Sequence, residues 1–365
     1  MAQVATAVNA DEKRPEGAQI LDEFAGHFGR SVSFQDGTQE HYVTLLSMWC
    51  LGTHGLAAFN SYPRLAILAP TENAGKSTTL KIVTALAHEG RMIMNTSPAA
   101  LFRLIHLNKP NNQGHPTICL DEGDSFMEGG SDFRNLINAG YDRTGSALRC
   151  VGDNNVPTEF AMFSPLCIAR IGDLPAVDGV HSRTLKVWLV RARADEKLER
   201  FKPDAAKPLH QRATDWGKQN VGDLRSAEPG DLPKRLNRNS RNYDNWAILS
   251  RIAMVVGDGW PERVAAAAEA LEGDGLSGGE AVLAKIKEVF DATGSPKISS
   301  AELAEKLTAK VQDDDDVEFR SMTPRSMSKQ LKPFDIKPGK VWIGGSAVQG
   351  YSREQFDDAF ARYVQ

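Results

Sequence analysis

The sequence predicts an α/β protein: a mainly parallel sheet covered by helices, then a helical pair, then a small C-terminal domain of three helices and a β-hairpin. Three observations carry this. Short apolar runs alternate with helical stretches from Leu65 to Val190, the pattern of strands joined by crossover helices. The first run, Leu65 to Ala69, leads into a tight loop ending in Gly75-Lys76-Ser77, and a helical pattern follows to His88. From Ala281 onward, three helical stretches precede two short runs that bracket Gly344-Gly345, a hairpin signal.

The chain has 365 residues, 41% hydrophobic and 25% charged, with a formal net charge of −4. That length suits two or three units, and the composition is ordinary for a globular protein. The charge gives no overall polyanion signal, so any nucleic-acid contact must come from local patches. No apolar run approaches a membrane span, and the expected location is cytoplasmic. Residues 1–17 are small and polar and read as a disordered tail without a signal core. Cys50, Cys119, Cys150 and Cys167 are widely spaced in apolar contexts and read as buried free thiols of a reducing cytosol.

In chain order, residues 18–193 are expected to form the sheet core with N-terminal helices over Ile20 to Asn60. Trp49 and His54 fall on an apolar face and read as core, an adenine contact being the alternative. Arg91 to Asn95 is a second strand, and Ser97 caps a helix with Pro98 at its first position. Thr117 to Leu120 is a strand, Asp132 to Ala139 a helix ended by Gly140, and Ala147 to Val151 with Val156 to Phe163 a hairpin around Gly152 to Asn155. Pro165 to Ile171 and Thr184 to Val190 complete the sheet. Residues 194–240 are charged and proline-containing and read as a connector. Residues 241–275, two helical stretches joined by Gly257-Asp258-Gly259, read as a lid, and 280–365 as the C-terminal domain.

The loop carries chemistry. Polyphosphate is densely negative, and backbone N–H groups at a helix N-terminus point donors at it. Thr71, Glu72, Asn73, Ala74, Gly75, Lys76, Ser77 and Thr78 would form the cradle. Lys76 would reach the β- and γ-phosphates, and the Ser77 hydroxyl would hold Mg²⁺. Pro70 stands where the usual pattern has glycine, at the loop entrance, where a fixed φ is tolerable. A chance Gly-Lys-Ser in a plain strand–turn–helix is the alternative. Thr117 to Glu122 raises the odds: in phosphate-loop ATPases a neighbouring buried strand ends in an Asp beside Mg²⁺, here Asp121. Glu122 would deprotonate the attacking water, which suits hydrolysis over transfer to a substrate hydroxyl. The expected cofactors are ATP and Mg²⁺.

In the C-terminal domain, Met327, Leu331 and Phe334 point inward on the third helical stretch, while Arg325, Lys329 and Lys332 lie outward and Lys337 and Lys340 flank the hairpin. Three helices and a β-wing make a winged helix-turn-helix, and those cations suit phosphate and groove contact. The acidic run Asp313 to Asp316 keeps the domain from being uniformly basic, so protein contact is the alternative.

Taken together, several segments resemble a family: the phosphate-loop ATPase domain of unknown function at the C-terminal ends of phage-, plasmid- and island-encoded primase–helicase proteins, itself similar to AAA+ ATPases and ring helicases. The resemblance runs from Leu21 to the C-terminus. It rests on Tyr62-Pro63-Arg64-Leu65 entering the loop, Leu120-Asp121-Glu122-Gly123-Asp124, Leu136-Ile137-Asn138-Ala139-Gly140, Ser164-Pro165, Ile171-Gly172-Asp173-Leu174-Pro175, Ser182-Arg183-Thr184, Asp244-Asn245-Trp246 and Leu331-Lys332-Pro333-Phe334, in that order. It implies a ring oligomer, hexameric by analogy, that acts on DNA as a helicase or translocase of mobile-element replication, with a primase or replication partner. An ATP-dependent switch or assembly factor is the second reading. The resemblance also implies an arginine finger acting on the neighbouring subunit's site, Arg183 or else Arg143, a γ-phosphate contact from Arg241, and a DNA-contacting hairpin at Ala147 to Phe163. The hairpin tip, Asp153-Asn154-Asn155, is acidic where a basic tip would attract a strand, with Arg149 nearer the base to compensate. The residues before the core hold no zinc-ligand cluster and are too few for a primase domain, so the chain reads as a stand-alone ATPase or a piece of a longer protein.

Overall fold

The structure, a computed structural model, describes residues 14–94, 96–107, 115–121, 137–151, 154–174, 179–236, 240–272, 278–309 and 322–364. It divides into two compact units, Met1–Glu272 and Gly273–Gln365.

The first unit opens with helices α1 (Glu16–Ser31) and α2 (Gln39–His54). Ile20, Leu21, Phe24 and Phe28 form the buried stripe of α1, spaced as a 3.6-residue period requires. The helix therefore takes in Glu16 and Gly17, which the sequence assigned to a disordered tail. Arg14, just before it, pairs with Asp22 and Asp258. Strand β1 (Arg64–Ala69) follows, buried along its whole length, then α3 (Lys76–Leu86), β2 (Arg91–Ile93), α4 (Pro98–Leu107), β3 (Ile118–Leu120), β4 (Ser146–Val151), β5 (Val156–Ala161), β6 (Leu166–Ile171) and β7 (Thr184–Trp188).

The main sheet has the order β2-β3-β6-β1-β7, every neighbouring pair parallel. Side-chain alternation along β1 divides its residues between two cores. Leu65, Ile67 and Ala69 join the cluster that contains α1, α2 and α3, while Ala66 and Leu68 join a second with Leu101, Ile118, Leu120 and Phe160. A sheet covered on both faces explains why its strands read as unbroken apolar runs.

β4 and β5 pair antiparallel as a separate hairpin. Exposure alternates along β4: Ala147 and Val151 pack on the second core while Cys150 faces outward. A two-stranded ribbon covered on one side leaves its other side bare, so the expectation that all four cysteines are buried fails at Cys150. Cys50, Cys119 and Cys167 are buried.

Beyond β7 come α5 (Lys207–Gln219), α6 (Val221–Ser226), α7 (Arg241–Val256) and α8 (Trp260–Leu271). The segment expected as a connector contributes Leu209, Ala213 and Trp216 to the main core. α7 and α8 are likewise part of the body: Trp246 and Trp260 are fully buried in the same core as α1 and α2. Ser240 caps α7, its hydroxyl accepting from the Tyr243 N–H at 3.2 Å.

The second unit contains α9 (Gly278–Thr293), β8 (Lys297–Ser299), α10 (Ser300–Ala309), α11 (Pro324–Leu331), β9 (Gly339–Ile343), β10 (Ser346–Ser352) and α12 (Asp357–Tyr363). The sheet order is β8-β10-β9, both pairs antiparallel. Ser299 accepts from Glu302 N–H at 3.1 Å and Thr323 from Ser326 N–H at 3.1 Å, the caps that start α10 and α11. Met327 and Leu331 are buried. Strand β8 and helix α12, neither expected from the sequence, add Ile298 and Phe360 to the core, with Phe356 of the turn that leads into α12.

Candidate functional site

The loop between β1 and α3 has two residues with left-handed backbone, Asn73 at φ 59° and Gly75 at φ 88°. Asparagine and glycine tolerate that region best. Gly75 is the N-cap of α3 and no side chain caps the helix. The first-turn N–H groups therefore lack the usual capping oxygen, and the first turn carries no acid that would compete for them. The Lys76 ammonium folds back over the loop and donates to the Thr71 carbonyl at 3.0 Å. Thr71, Glu72, Asn73 and Ser77 are exposed, Ala74 is buried, and Gly75, Lys76 and Thr78 are half-buried. A cationic side chain and undercapped N–H groups around an accessible loop fit a polyphosphate.

Asp121 follows β3 directly and is 8% exposed, its N–H donating to Ile93 O at 3.0 Å. Register places it on the loop's edge of the sheet. Leu120 pairs with Ile168, and Ile168 pairs with Ala66, so β3 and β1 lie two strand spacings apart, about 10 Å. Both run toward the same edge, where open parallel sheets bind ligands beyond their carboxyl ends. Glu122 lies outside the described residues, as do 132–136 of the expected helix, Gly152 and Asp153 at the hairpin tip, and Asp313 to Asp316.

Two cations that the sequence reading missed also stand at this edge. Arg191 donates to Glu72 O at 3.1 Å, tying the chain after β7 to the loop. Arg170 lies near the end of β6, opposite Leu68 of β1. No motif marks either; only the strand order brings them here.

The remaining arginines lie elsewhere. Arg183 immediately precedes β7, and Thr184 pairs with Arg64, the first residue of β1. Arg183 is therefore at the amino ends of the strands, a full strand length from its own loop. Its Nη1 donates to Gly179 O at 2.8 Å, and its guanidinium lies 5.8 Å from the Tyr141 ring centroid. Arg241 does not stand by the loop either. A Cβ on Gly179 would lie 2.3 Å from Arg183 Nη1 and 3.9 Å from Arg241 Nη1, so the two guanidinia are neighbours. Burial, then the charge of Arg241, lowers the pKa of Arg183. A γ-phosphate contact from Arg241 within the same chain is thus ruled out by position.

Arg143 is committed to the backbone: Nε and Nη2 donate to Phe59 O at 3.1 and 2.9 Å and Nη2 to Leu56 O at 2.8 Å, with the guanidinium 4.5 Å from the Phe163 ring centroid. Arg149 lies over Phe102 of α4 at 4.8 Å. Trp49 donates to Pro63 O at 2.8 Å and is fully buried; it and His54 are core, not adenine contacts. In the second unit Arg325, Lys329, Lys332 and Lys340 are exposed. Lys337 pairs with Asp335 at 2.7 Å, and Trp342 of β9 is 67% exposed. No helix among the described residues is long and apolar enough to cross a membrane.

Residues 188–363 match the model of a family described as a protein of unknown function, DUF3631. That stretch is just under half of the chain, and it begins at the end of β7, so it excludes both the loop and Asp121. No curated protein matches. Among solved structures, the apo A form of the NrS-1 C-terminal region is 12% identical, with 94% of this chain and 76% of that one covered at a TM-score of 0.36. NtrX from Brucella abortus in complex with ATP is 11% identical, with 88% and 73% covered at 0.24. NtrX with ADP is 12% identical, with 87% and 72% covered at 0.22.

Proposed function

We propose that the chain is a magnesium-dependent ATPase whose turnover serves DNA transactions and whose site a neighbouring copy completes. The observation that carries this is the loop: Gly75 in left-handed backbone at the start of α3, Lys76 folded across it, and Asp121 on the same sheet edge. Residues Thr71 to Thr78 would line the phosphates, and Ser77 with Asp121 would hold the ion. Magnesium, when bound there, would supply neutralisation of phosphate charge. The Lys76 ammonium offsets phosphate charge, and Glu122 accepts the proton of the attacking water.

Arg183 is a better finger than Arg143, because one carbonyl holds Arg183 while carbonyls fix both Nε and Nη2 of Arg143 and leave it only Nη1. Arg183 and Arg241 together would meet a neighbour's γ-phosphate, where paired cations stabilise developing charge. That role needs a homo-oligomer, proposed as a hexameric ring. The second unit is read as a winged helix whose Arg325, Lys329, Lys332 and Lys340 contact phosphates. A helicase or translocase is the first form of this proposal, with a primase as a candidate partner.

A specific observation favours the second form, an ATP-dependent switch. The β4–β5 hairpin exposes apolar Leu148 and Val156, at 65% and 55%, and Arg149 is stacked on Phe102. Such a surface suits a protein contact better than a DNA strand.

Nucleotide binding and turnover measured on Lys76→Ala and Glu122→Gln test the site. Lys76→Ala is expected to lose both. Glu122→Gln is expected to bind ATP with turnover lowered by about 10²–10⁴-fold. Wild-type turnover in Glu122→Gln would refute the base, and in Lys76→Ala the whole site. DNA-stimulated turnover with strand separation identifies a motor; ATP-dependent DNA binding without separation identifies a switch.

A further inference from the structure

Near the amino ends of the parallel strands, the first unit holds a cavity of about 700 Å³, within the ~300–1,000 Å³ of small-molecule sites. Asn60 and Ser61, Arg143, Arg225 and Glu228, and Arg251 of α7 border it. Ser61 lies just ahead of β1, whose far end carries the loop, so the cavity is not part of the nucleotide site.

Three guanidinia and one carboxylate face this space. Two of the guanidinia are fixed by carbonyls, which hold a cation without neutralising it. Arg143 uses Nε and Nη2 on Leu56 and Phe59. Arg251 uses Nε on Ala227 O at 2.7 Å, and Nη2 on Leu224 O at 2.7 Å and Arg225 O at 2.9 Å. Arg225 makes one long bond, Nη2 to Ala57 O at 3.3 Å, and is exposed at the rim. Among the described residues no carboxylate pairs with any of the three, Glu228 included, and each Nη1 is left without a bond. Burial, then the charge of Arg225, lowers the pKa of Arg143. Guanidinium edges held in place with other edges free are the arrangement that binds phosphate oxygens in pairs.

We propose that this cavity is a second anion site, one that takes a phosphate group of a nucleic-acid strand. It needs nothing from the loop. The exposed rim position of Arg225 suits a phosphate within a longer chain, which need not be enclosed, over a free nucleotide.

The test uses the full chain and a fluorescent single-stranded oligonucleotide, with binding followed by anisotropy across a salt series. Arg225→Gln is expected to keep the fold, since it removes a single long hydrogen bond at an exposed site. It should weaken binding several-fold and reduce the slope of log K against log salt by about 0.7, the loss of one single-strand phosphate contact. Arg225→Lys should restore the slope. If the oligonucleotide data do not change but stabilisation of the wild type by AMP against heat is lost in Arg225→Gln, phosphate recognition stands and its source is a free nucleotide. If neither measurement changes, the proposal is overturned. A change confined to self-association in sedimentation also overturns it, and assigns the arginines to an acidic patch on a second copy.

Discussion

Acidification should weaken the first unit through His54. This residue ends α2 and joins it to two other helices: Nε2 lies 2.8 Å from Leu86 O, the last residue of α3, and Nδ1 lies 3.1 Å from Thr214 Oγ1 of α5. It is 6% exposed, and the rings of His88 and His210 lie 5.5 and 5.1 Å away. Burial, opposed by the bond to Leu86 and assisted by those two rings, lowers its pKa from 6.5 to about 3. A folded-state value below the unfolded one means that the unfolded chain binds the extra proton between pH 6.5 and 3. Stability from this group is therefore complete above pH 6.5 and falls as pH drops through that window. Between pH 7 and pH 5 the loss is about 2 kcal/mol. His210 is lowered by burial too, opposed by the hydrogen bond to Ala87 and then by Glu89, and His27 is lowered by burial and the charge of Arg30, so the whole protein should lose more than His54 alone accounts for. The assay is urea unfolding of wild type and His54→Gln at pH 7 and pH 5, read by tryptophan fluorescence. Of the six tryptophans, all but Trp342 lie in the first unit, so the signal follows the unit in question. His54→Gln will be less stable at both pH values, but its pH 7-to-5 difference should be about 2 kcal/mol smaller than that of the wild type. Equal differences in the two proteins would refute the reasoning.

Gly75→Ala should cost about 1–2 kcal/mol of stability through left-handed backbone alone, because its Cβ would meet only Val32 Cγ1 at 3.6 Å. Nucleotide affinity should fall at least tenfold; unchanged affinity in calorimetry would detach the loop from ATP. Lys76→Ala and Arg183→Ala should each be inactive alone, and mixing equal amounts should restore turnover at about a quarter of interfaces by random assembly. No recovery on mixing, with both variants folded and oligomeric, would argue against a shared site.

The loop could be read from the sequence because its demands are local. Gly75 and Asn73 suit the left-handed backbone they adopt, and Lys76-Ser77 starts the helix they precede. The caps that Ser299 and Thr323 form are equally local, each hydroxyl accepting from an N–H three residues on. What escaped depends on partners far along the chain. Arg64 had no role assigned beyond its place in the stretch entering the loop. It is 1% exposed, donating to Ile137 O at 3.0 and 2.9 Å and to Ser164 O, and no local pattern announces a buried cation held by carbonyls 73 and 100 residues away. α5 was hidden by averaging: its charged residues dominate the composition, while Leu209, Ala213 and Trp216 form the stripe that packs inward. Arg241 was misplaced because the start of a helical pair says nothing about which end of the sheet it approaches.

The strand geometry makes the two arginine-bearing ends of the first unit separable by experiment. β1 is six residues long, about 20 Å at the rise of a strand, with the loop at one end and Arg183, Arg241 and Arg143 at the other. An arginine side chain cannot span that distance, so nothing at the amino ends can act on phosphates bound to the same chain's loop. Arg191, by contrast, already touches the loop at Glu72 and can act there without a second copy. Mixing an Arg191 variant with a loop variant should therefore rescue no turnover, because no site then holds both an intact loop and an intact Arg191, whereas loss on removing Arg183 should be rescued. The contrast between those two arginines locates the source of each charge, because it compares a cation fixed beside the loop with one that only another molecule can bring there.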